Sequence, residues 1–147
     1  MKKKCGFTLI EVMVVVVILG ILAAMLVPQL MGRPDQAKAV KARTDIIAIE
    51  NALDLYKLDN GTYPTTDQGL LALIKKPSTP PIPSHWNNEG YLKHITMKNS
   101  QLLDPWGNPY QYLKPGQHGQ LDIYSYGRKG QQVQYNEDEL IGNWQNS

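Results

Sequence analysis

Apolar and polar positions divide the chain into three regimes. From Phe7 to Gly32 the only charged side chain is Glu11. Val12 to Met31 makes 20 residues, about 30 Å as a helix and long enough to cross a bilayer. From Asp35 to Leu58 the pattern turns amphipathic. Ala39, Ala42, Ile46, Ile49, Leu53 and Tyr56 recur at spacings of three and four, which predicts a helix over about 35–59 with one apolar stripe. Val40 and Ile47 widen the stripe, whereas Lys38, Lys41, Arg43, Asp45 and Asp54 lie off it. Asn60-Gly61 ends the helix, because Gly accepts the left-handed conformation at C′. A continuous helix from Phe7 to Asp59 would span about 80 Å. The stripe is a face for a small globular domain and calls for no cofactor.

Beyond the helix the pattern is shorter in period. Thr66 or Asp67 caps a short helix that runs to Ile74. Residues 75–90, with Pro77, Pro80, Pro81 and Pro83, form a loop of extended, polyproline-like character. Asp104-Pro-Trp-Gly-Asn-Pro-Tyr reads as a tight turn. Tyr110 and Tyr112 alternate with Gln111, and Leu121 and Ile123 with Asp122. Two strands joined through Pro115–Gly119 follow, one face of the hairpin lying on the helix. A third short strand is expected over Gln131–Tyr135. The fold class is α+β.

Composition narrows the chemistry. The 147 residues hold one ordinary domain and an anchor. The net charge of +2 makes no case for nucleic acid. Mean hydropathy is slightly negative despite the apolar front, so the rest of the chain is polar. Cys5 is the only cysteine, which leaves the downstream domain without disulfide or thiol chemistry. His85, His94 and His118 lack metal-ligand spacing, and Ser78, Ser84, Ser100 and Ser125 lie in no nucleophile elbow. Asp104 and Asp122 read as turn and strand-face residues. Nothing in the pattern asks for catalysis.

The front segment is too long for a signal-peptide h-region, and its exit, Val27-Pro28-Gln29-Leu30-Met31, has no A-x-A site. A plain anchor has no reason to carry Glu11, since a charge costs roughly 2.5–3.5 kcal/mol at the centre of a membrane helix and less near its end. If the chain is cut after Gly6, the new amine on Phe7 lies four residues from Glu11. The amine of a neighbouring copy then neutralises the carboxylate, and assembly of identical helices relieves the buried charge. Lys2, Lys3 and Lys4 precede the span, and Arg33, Lys38, Lys41 and Arg43 follow it. The short basic tail is placed in the cytoplasm. Pro28 removes a backbone hydrogen bond within the helix and predicts a kink, reinforced by Gly32 and Pro34.

Lys4-Cys-Gly-Phe-Thr-Leu-Ile-Glu-Val-Met-Val and the apolar run after it resemble the class III signal of type IV pilins and type II secretion pseudopilins. The resemblance implies a leader over 1–6, cut after Gly6 by prepilin peptidase, and N-methylation of Phe7. It makes Glu11 the assembly glutamate. It implies a transmembrane and filament-core helix over 7–31, in which the stretch around Pro28 melts on assembly, and a periplasmic domain over 32–147. Asn60-Gly-Thr-Tyr-Pro-Thr-Thr-Asp-Gln-Gly-Leu, Asp104-Pro-Trp-Gly-Asn-Pro-Tyr, Ile123-Tyr-Ser-Tyr-Gly and Ile141-Gly-Asn-Trp144 look like the major pseudopilins, the G subunits. A type IV pilin for adhesion, twitching or DNA uptake has the same N-terminal physics, but those pilins commonly carry a C-terminal disulfide that this chain cannot form.

For such a subunit the resemblance implies the type IV pilin-like fold, a long N-terminal helix packed on a small antiparallel sheet in the 104–144 region. It implies a helical homopolymer based in the inner membrane. Its partners would be minor pseudopilins and an inner-membrane platform protein with its cytoplasmic ATPase. The filament would push folded exoproteins through an outer-membrane channel.

The family's C-terminal loop also implies calcium, and here this chain departs. Lys129 stands where the first Asp ligand is expected, and Leu140 stands where the Asp before Ile-Gly-Asn-Trp is expected. The Tyr126 carbonyl, Asp138, Glu137 and Glu139 remain. Calcium takes several hard oxygen ligands, and Lys129 would repel it. No metal is expected. Lys129 pairs with Glu137, Asp138 or Glu139, worth about 0–1 kcal/mol if exposed, or the run is simply solvated.

Overall fold

The computed structural model describes residues 6–30, 33–131, 136 and 139–146, without the side chains of 26–30, 33 and 146. The chain divides into two compact units, Met1–Ala37 and Lys38–Ser147. Helix α1 spans Leu9–Leu30 and α2 spans Arg33–Asn60. The Thr8 carbonyl accepts the amides of Glu11 at 3.1 Å and Val12 at 3.3 Å, which starts α1. The helix runs past Pro28 to Leu30. The expected kink rests on residues whose side chains, like Met31 and Gly32 entirely, lie outside the described residues.

In the second unit α2 buries Ala42, Ile46, Ile49, Leu53 and Tyr56 of the stripe its period predicts, and Ala52 beside them, while Ala39 at the head of the stripe is only half-buried. Two expectations about this helix are corrected. Val40 and Ile47 do not widen the buried face: they are exposed, 62% and 47%, as are Leu55 and Leu58. At about 100° per residue, Val40, Ile47 and Leu58 fall on one line opposite the core. Asp45 is not a solvent-facing residue. It is buried because the Tyr110 hydroxyl donates to it at 3.1 Å from across the core, while Lys41 reaches both its oxygens at 2.8 and 2.9 Å. Gly61 ends the helix as expected, with φ 77° and its amide on the Lys57 carbonyl at 2.7 Å.

The short helix after it is a 3-10 turn, Leu70–Leu73. The lead-in turn is held by neither Thr66 nor Asp67. Thr65 and Gln68 hold it reciprocally: the Gln68 amide donates to Thr65 Oγ1 at 3.2 Å, and the Thr65 amide to Gln68 Oε1 at 3.1 Å. Thr66 is occupied elsewhere, bonded to the carbonyl and amide of Lys114 at 3.0 and 2.9 Å. Residues 75–90 form no helix or strand. The Gln68 amide group donates to Thr79 O and Pro81 O, and Trp86 Nε1 to Ala72 O, fastening that loop to the core.

Among the described residues, five short strands complete the unit. Strands β1 (Met97–Lys98) and β2 (Gln101–Leu102) form a hairpin that the pattern did not predict. Strands β3 (Gln111–Leu113), β4 (Asp122–Ser125) and β5 (Ile141–Gly142) form an antiparallel sheet in the order β3-β4-β5. Tyr112 faces Ile123 and Tyr124 faces Gly142 across the ladders. Strand β5 was not predicted, and positions 132–135 of the stretch expected as a third strand lie outside the described residues. Tyr110, Tyr112, Leu121 and Ile123 join Ile46, Ile49, Leu53 and Leu73 in one core.

Burial raises the Tyr110 and Tyr112 phenols above their ordinary range, and Asp45 adds to the effect on Tyr110. Tyr63 is pushed to about 12 by burial and by Asp54, to which it donates at 2.7 Å. Tyr124 reaches about 12 through burial and the neighbouring Tyr126. The native state thus keeps protons that the unfolded chain releases above about pH 10. Stability is complete below that pH and falls as pH rises toward the raised values. Melting curves across this range should show Tm dropping from about pH 10; a flat Tm to about pH 12 would contradict the burial argument.

Candidate functional site

The first candidate region is the chain start. Gly6, Phe7 and Thr8 precede α1 in non-helical backbone, and all three are exposed. The Gly6–Phe7 bond is thus open to a peptidase, and Phe7 is 82% exposed. From Leu9 to Met25 every described side chain is exposed, and Glu11 is the only charge. Among the described residues no helix is long and apolar enough to cross a membrane; the described side chains of α1 stop at Met25. Apolar surface of this extent marks an interaction or membrane site.

Glu11 sits in the first turn of α1, where the helix dipole favours negative charge. Thr8, just outside the helix, and Glu11 three residues on have the spacing of a capping box. The Glu11 amide itself donates to the Thr8 carbonyl, so the S/T-x-x-E spacing rests on the sequence alone.

The second candidate region is the C-terminal loop between β4 and β5, which is built on a buried polar knot. Asp104 Oδ1 accepts the amides of Trp106 at 3.0 Å and Asn108 at 2.8 Å. Its Oδ2 accepts the Ser125 hydroxyl, and Ser125 Oγ accepts the Gly127 amide at 2.8 Å. Asn108 Nδ2 donates to the Gly127 carbonyl at 2.8 Å. Asp104 is more than a turn residue: it is 4% exposed and ties the turn to the loop. Gly130, at φ 64°, lies so close to Asn108 that a Cβ would stand 2.9 Å from its Oδ1.

Asp122 is a strand residue as expected, at the start of β4, and it is buried. It is 1% exposed and accepts the amides of Gln117 and His118, with His118 Nδ1 at 3.0 Å. The His118 ring stacks on Trp144 at 4.0 Å. Asn143 Oδ1 accepts the Ile123 amide at 3.1 Å, and its Nδ2 donates to Glu50 and Leu121 O. The Ile141–Trp144 motif therefore clamps the chain end to α2 and β4. A cleft of about 320 Å³ beside it is lined by Glu50, Asp54, Tyr63, His118 and Trp144 among others. Asn143 engages Glu50, and Tyr63 engages Asp54.

At the loop itself, Lys129 Nζ lies 2.8 and 2.9 Å from the two oxygens of Glu139. Glu137 and Asp138 lie outside the described residues. Among the described residues, those at the loop do not suit a hard divalent cation. The Glu139 carboxylate is taken by an ammonium, the Gly127 carbonyl by Asn108, and Leu140 offers no side-chain oxygen.

Residues 29–144 match the family model for the type II secretion system protein G, and residues 1–27 match that for the prokaryotic N-terminal methylation motif. The chain is 58% identical to the type II secretion system core protein G of Pseudomonas aeruginosa over 99% of this chain and 98% of that one. It is 54% identical to the core protein G of Vibrio cholerae over 98% and 94%. The crystal structure of the major pseudopilin from the type 2 secretion system of enterohaemorrhagic Escherichia coli superposes with a TM-score of 0.68 at 43% identity, covering 80% of this chain and 92% of that one. These likenesses settle the choice left open between a surface pilin and a secretion pseudopilin. The chain belongs to the protein G family of the type II secretion system, the major pseudopilins.

Proposed function

We propose that this chain is the non-catalytic building block of a pseudopilus that drives folded exoproteins through an outer-membrane channel. One observation carries the reading: an exposed Gly6–Phe7 bond leads directly into an exposed apolar helix whose single charge is Glu11. The precursor sits in the inner membrane as a single-pass protein, with its short tail in the cytoplasm and its globular unit in the periplasm. Prepilin peptidase frees Phe7 and methylates it. The platform protein and its ATPase then lift subunits out of the bilayer, and minor pseudopilins begin the filament.

Within the filament Glu11 meets the amine of Phe7 on a neighbouring copy. A head-to-tail contact that does not close yields an open helical polymer from one repeated chain. The exposed line Val40, Ile47 and Leu58 on α2 supplies further apolar surface for neighbours. Deleting the gene should remove folded enzymes from the culture supernatant and leave surface fibres intact, with both phenotypes scored against a complemented strain. Normal secretion with lost surface fibres would overturn the reading.

A further inference from the structure

We propose that the Lys129–Glu139 ion pair, in place of a divalent cation, ties the end of the 3-10 turn Gly127–Lys129 to the start of β5, so that this junction needs no calcium. The pair joins residues 10 apart in sequence, and both Glu139 oxygens engage the ammonium. On one side Lys129 ends the 3-10 turn Gly127–Lys129, whose first residue is held at both its amide and its carbonyl by Ser125 and Asn108. On the other side the Glu139 amide closes a turn on Asn136 O at 2.9 Å, and β5 starts two residues later. Gly142 of β5 packs so tightly under Trp144 that a Cβ would stand 2.5 Å from the ring. The pair therefore sits where the chain leaves β4 and returns to β5. Holding that junction restricts the loop and keeps β5 in register with β4.

An incoming cation would have to displace an ammonium from the Glu139 oxygens and then remain beside it, and like charges a few ångströms apart repel. The Lys129 and Glu139 side chains are 52% and 41% exposed, so the latch is modest and weakens in salt. The comparison with a divalent cation rests on the family reading, and the melting test below is independent of the secretion test.

The test is thermal melting of the full chain in detergent micelles, with millimolar calcium or with chelator. Wild type should melt at one temperature in both. Lys129→Ala and Glu139→Ala should each lower Tm by about 2–4 °C, and the double variant by no more than the larger single effect. The charge-swapped pair, Lys129→Glu with Glu139→Lys, should recover most of the loss. Calcium should rescue none of the variants. A calcium-dependent rise in the wild-type Tm overturns the proposal, as does a swapped pair melting as low as the singles.

Discussion

Glu11→Ala gives a folded, peptidase-cleaved subunit that does not enter filaments. The globular unit, Lys38–Ser147, contains no part of the first turn of α1, so its melting should not change. What changes is the gain on leaving the membrane. A carboxylate buried in an apolar span costs up to roughly 2.5–3.5 kcal/mol, and matching it to a neighbour's amine removes that cost. Without the carboxylate, the Phe7 amine of each added subunit is left unmatched in the apolar core. A loss of about 2.5 kcal/mol per addition is about 60-fold in the association constant of each step, enough to stop elongation. The Thr8–Glu11 spacing supplies a rival explanation in which Glu11 merely caps α1. Glu11→Gln separates the two, because Gln keeps the capping geometry and lacks the charge. Charge matching predicts that Gln fails as Ala does, measured as filament mass sheared from cells against cleaved subunit in the membrane. Filaments of normal length from Glu11→Gln would leave capping as the whole role.

The reasons for success and failure along the chain are physical. The buried stripe of α2 was readable because five core residues repeat at the helical period. The β3–β4 hairpin was readable because Tyr110, Tyr112, Leu121 and Ile123 alternate with polar neighbours. The burial of Asp45 and Asp104 was not legible, because it depends in part on donors that lie far off in the chain. Beside the local Lys41, one donor to Asp45 comes from 65 residues away, and the side-chain donor to Asp104 from 21. Val40 and Ile47 were joined to the wrong face because α2 is apolar on two sides, so apolar character alone does not choose between them. Strands β1, β2 and β5 have two residues each, too few to show a period. At the candidate site, Gly6, Phe7 and Glu11 were found from a contiguous motif. The polar knot around Asp104 was not found, because its members come from two separate stretches of chain, 104–108 and 125–127.

That knot bears the second large effect. Asp104→Ala leaves the amides of Trp106 and Asn108 and the Ser125 hydroxyl without their acceptor. Each buried donor left unsatisfied costs about 1–3 kcal/mol. Trp106 and Asn108 are half-buried and regain some water, so the sum is about 3–4 kcal/mol. For a unit of this size that lowers Tm by more than about 10 °C. Asp104→Asn is the informative companion. Its oxygen still accepts both amides, and its nitrogen meets Ser125 Oγ, whose second lone pair can accept it beside the Gly127 amide. Only the Ser125 hydroxyl hydrogen loses its partner, so the loss should be about a third of that for Ala. Equal losses in the two variants would show that the carboxylate charge matters and the number of acceptors does not. The damage in Asp104→Ala should also spread in a set order. Ser125 and Asn108 position Gly127, Gly127 begins the turn that carries Lys129, and Lys129 holds Glu139. Hydrogen exchange should therefore quicken at Gly127, Gly130 and Glu139 before it does in the α2 core. A polar turn more than 30 residues upstream of the chain end thus sets the geometry of the loop that the ion pair closes.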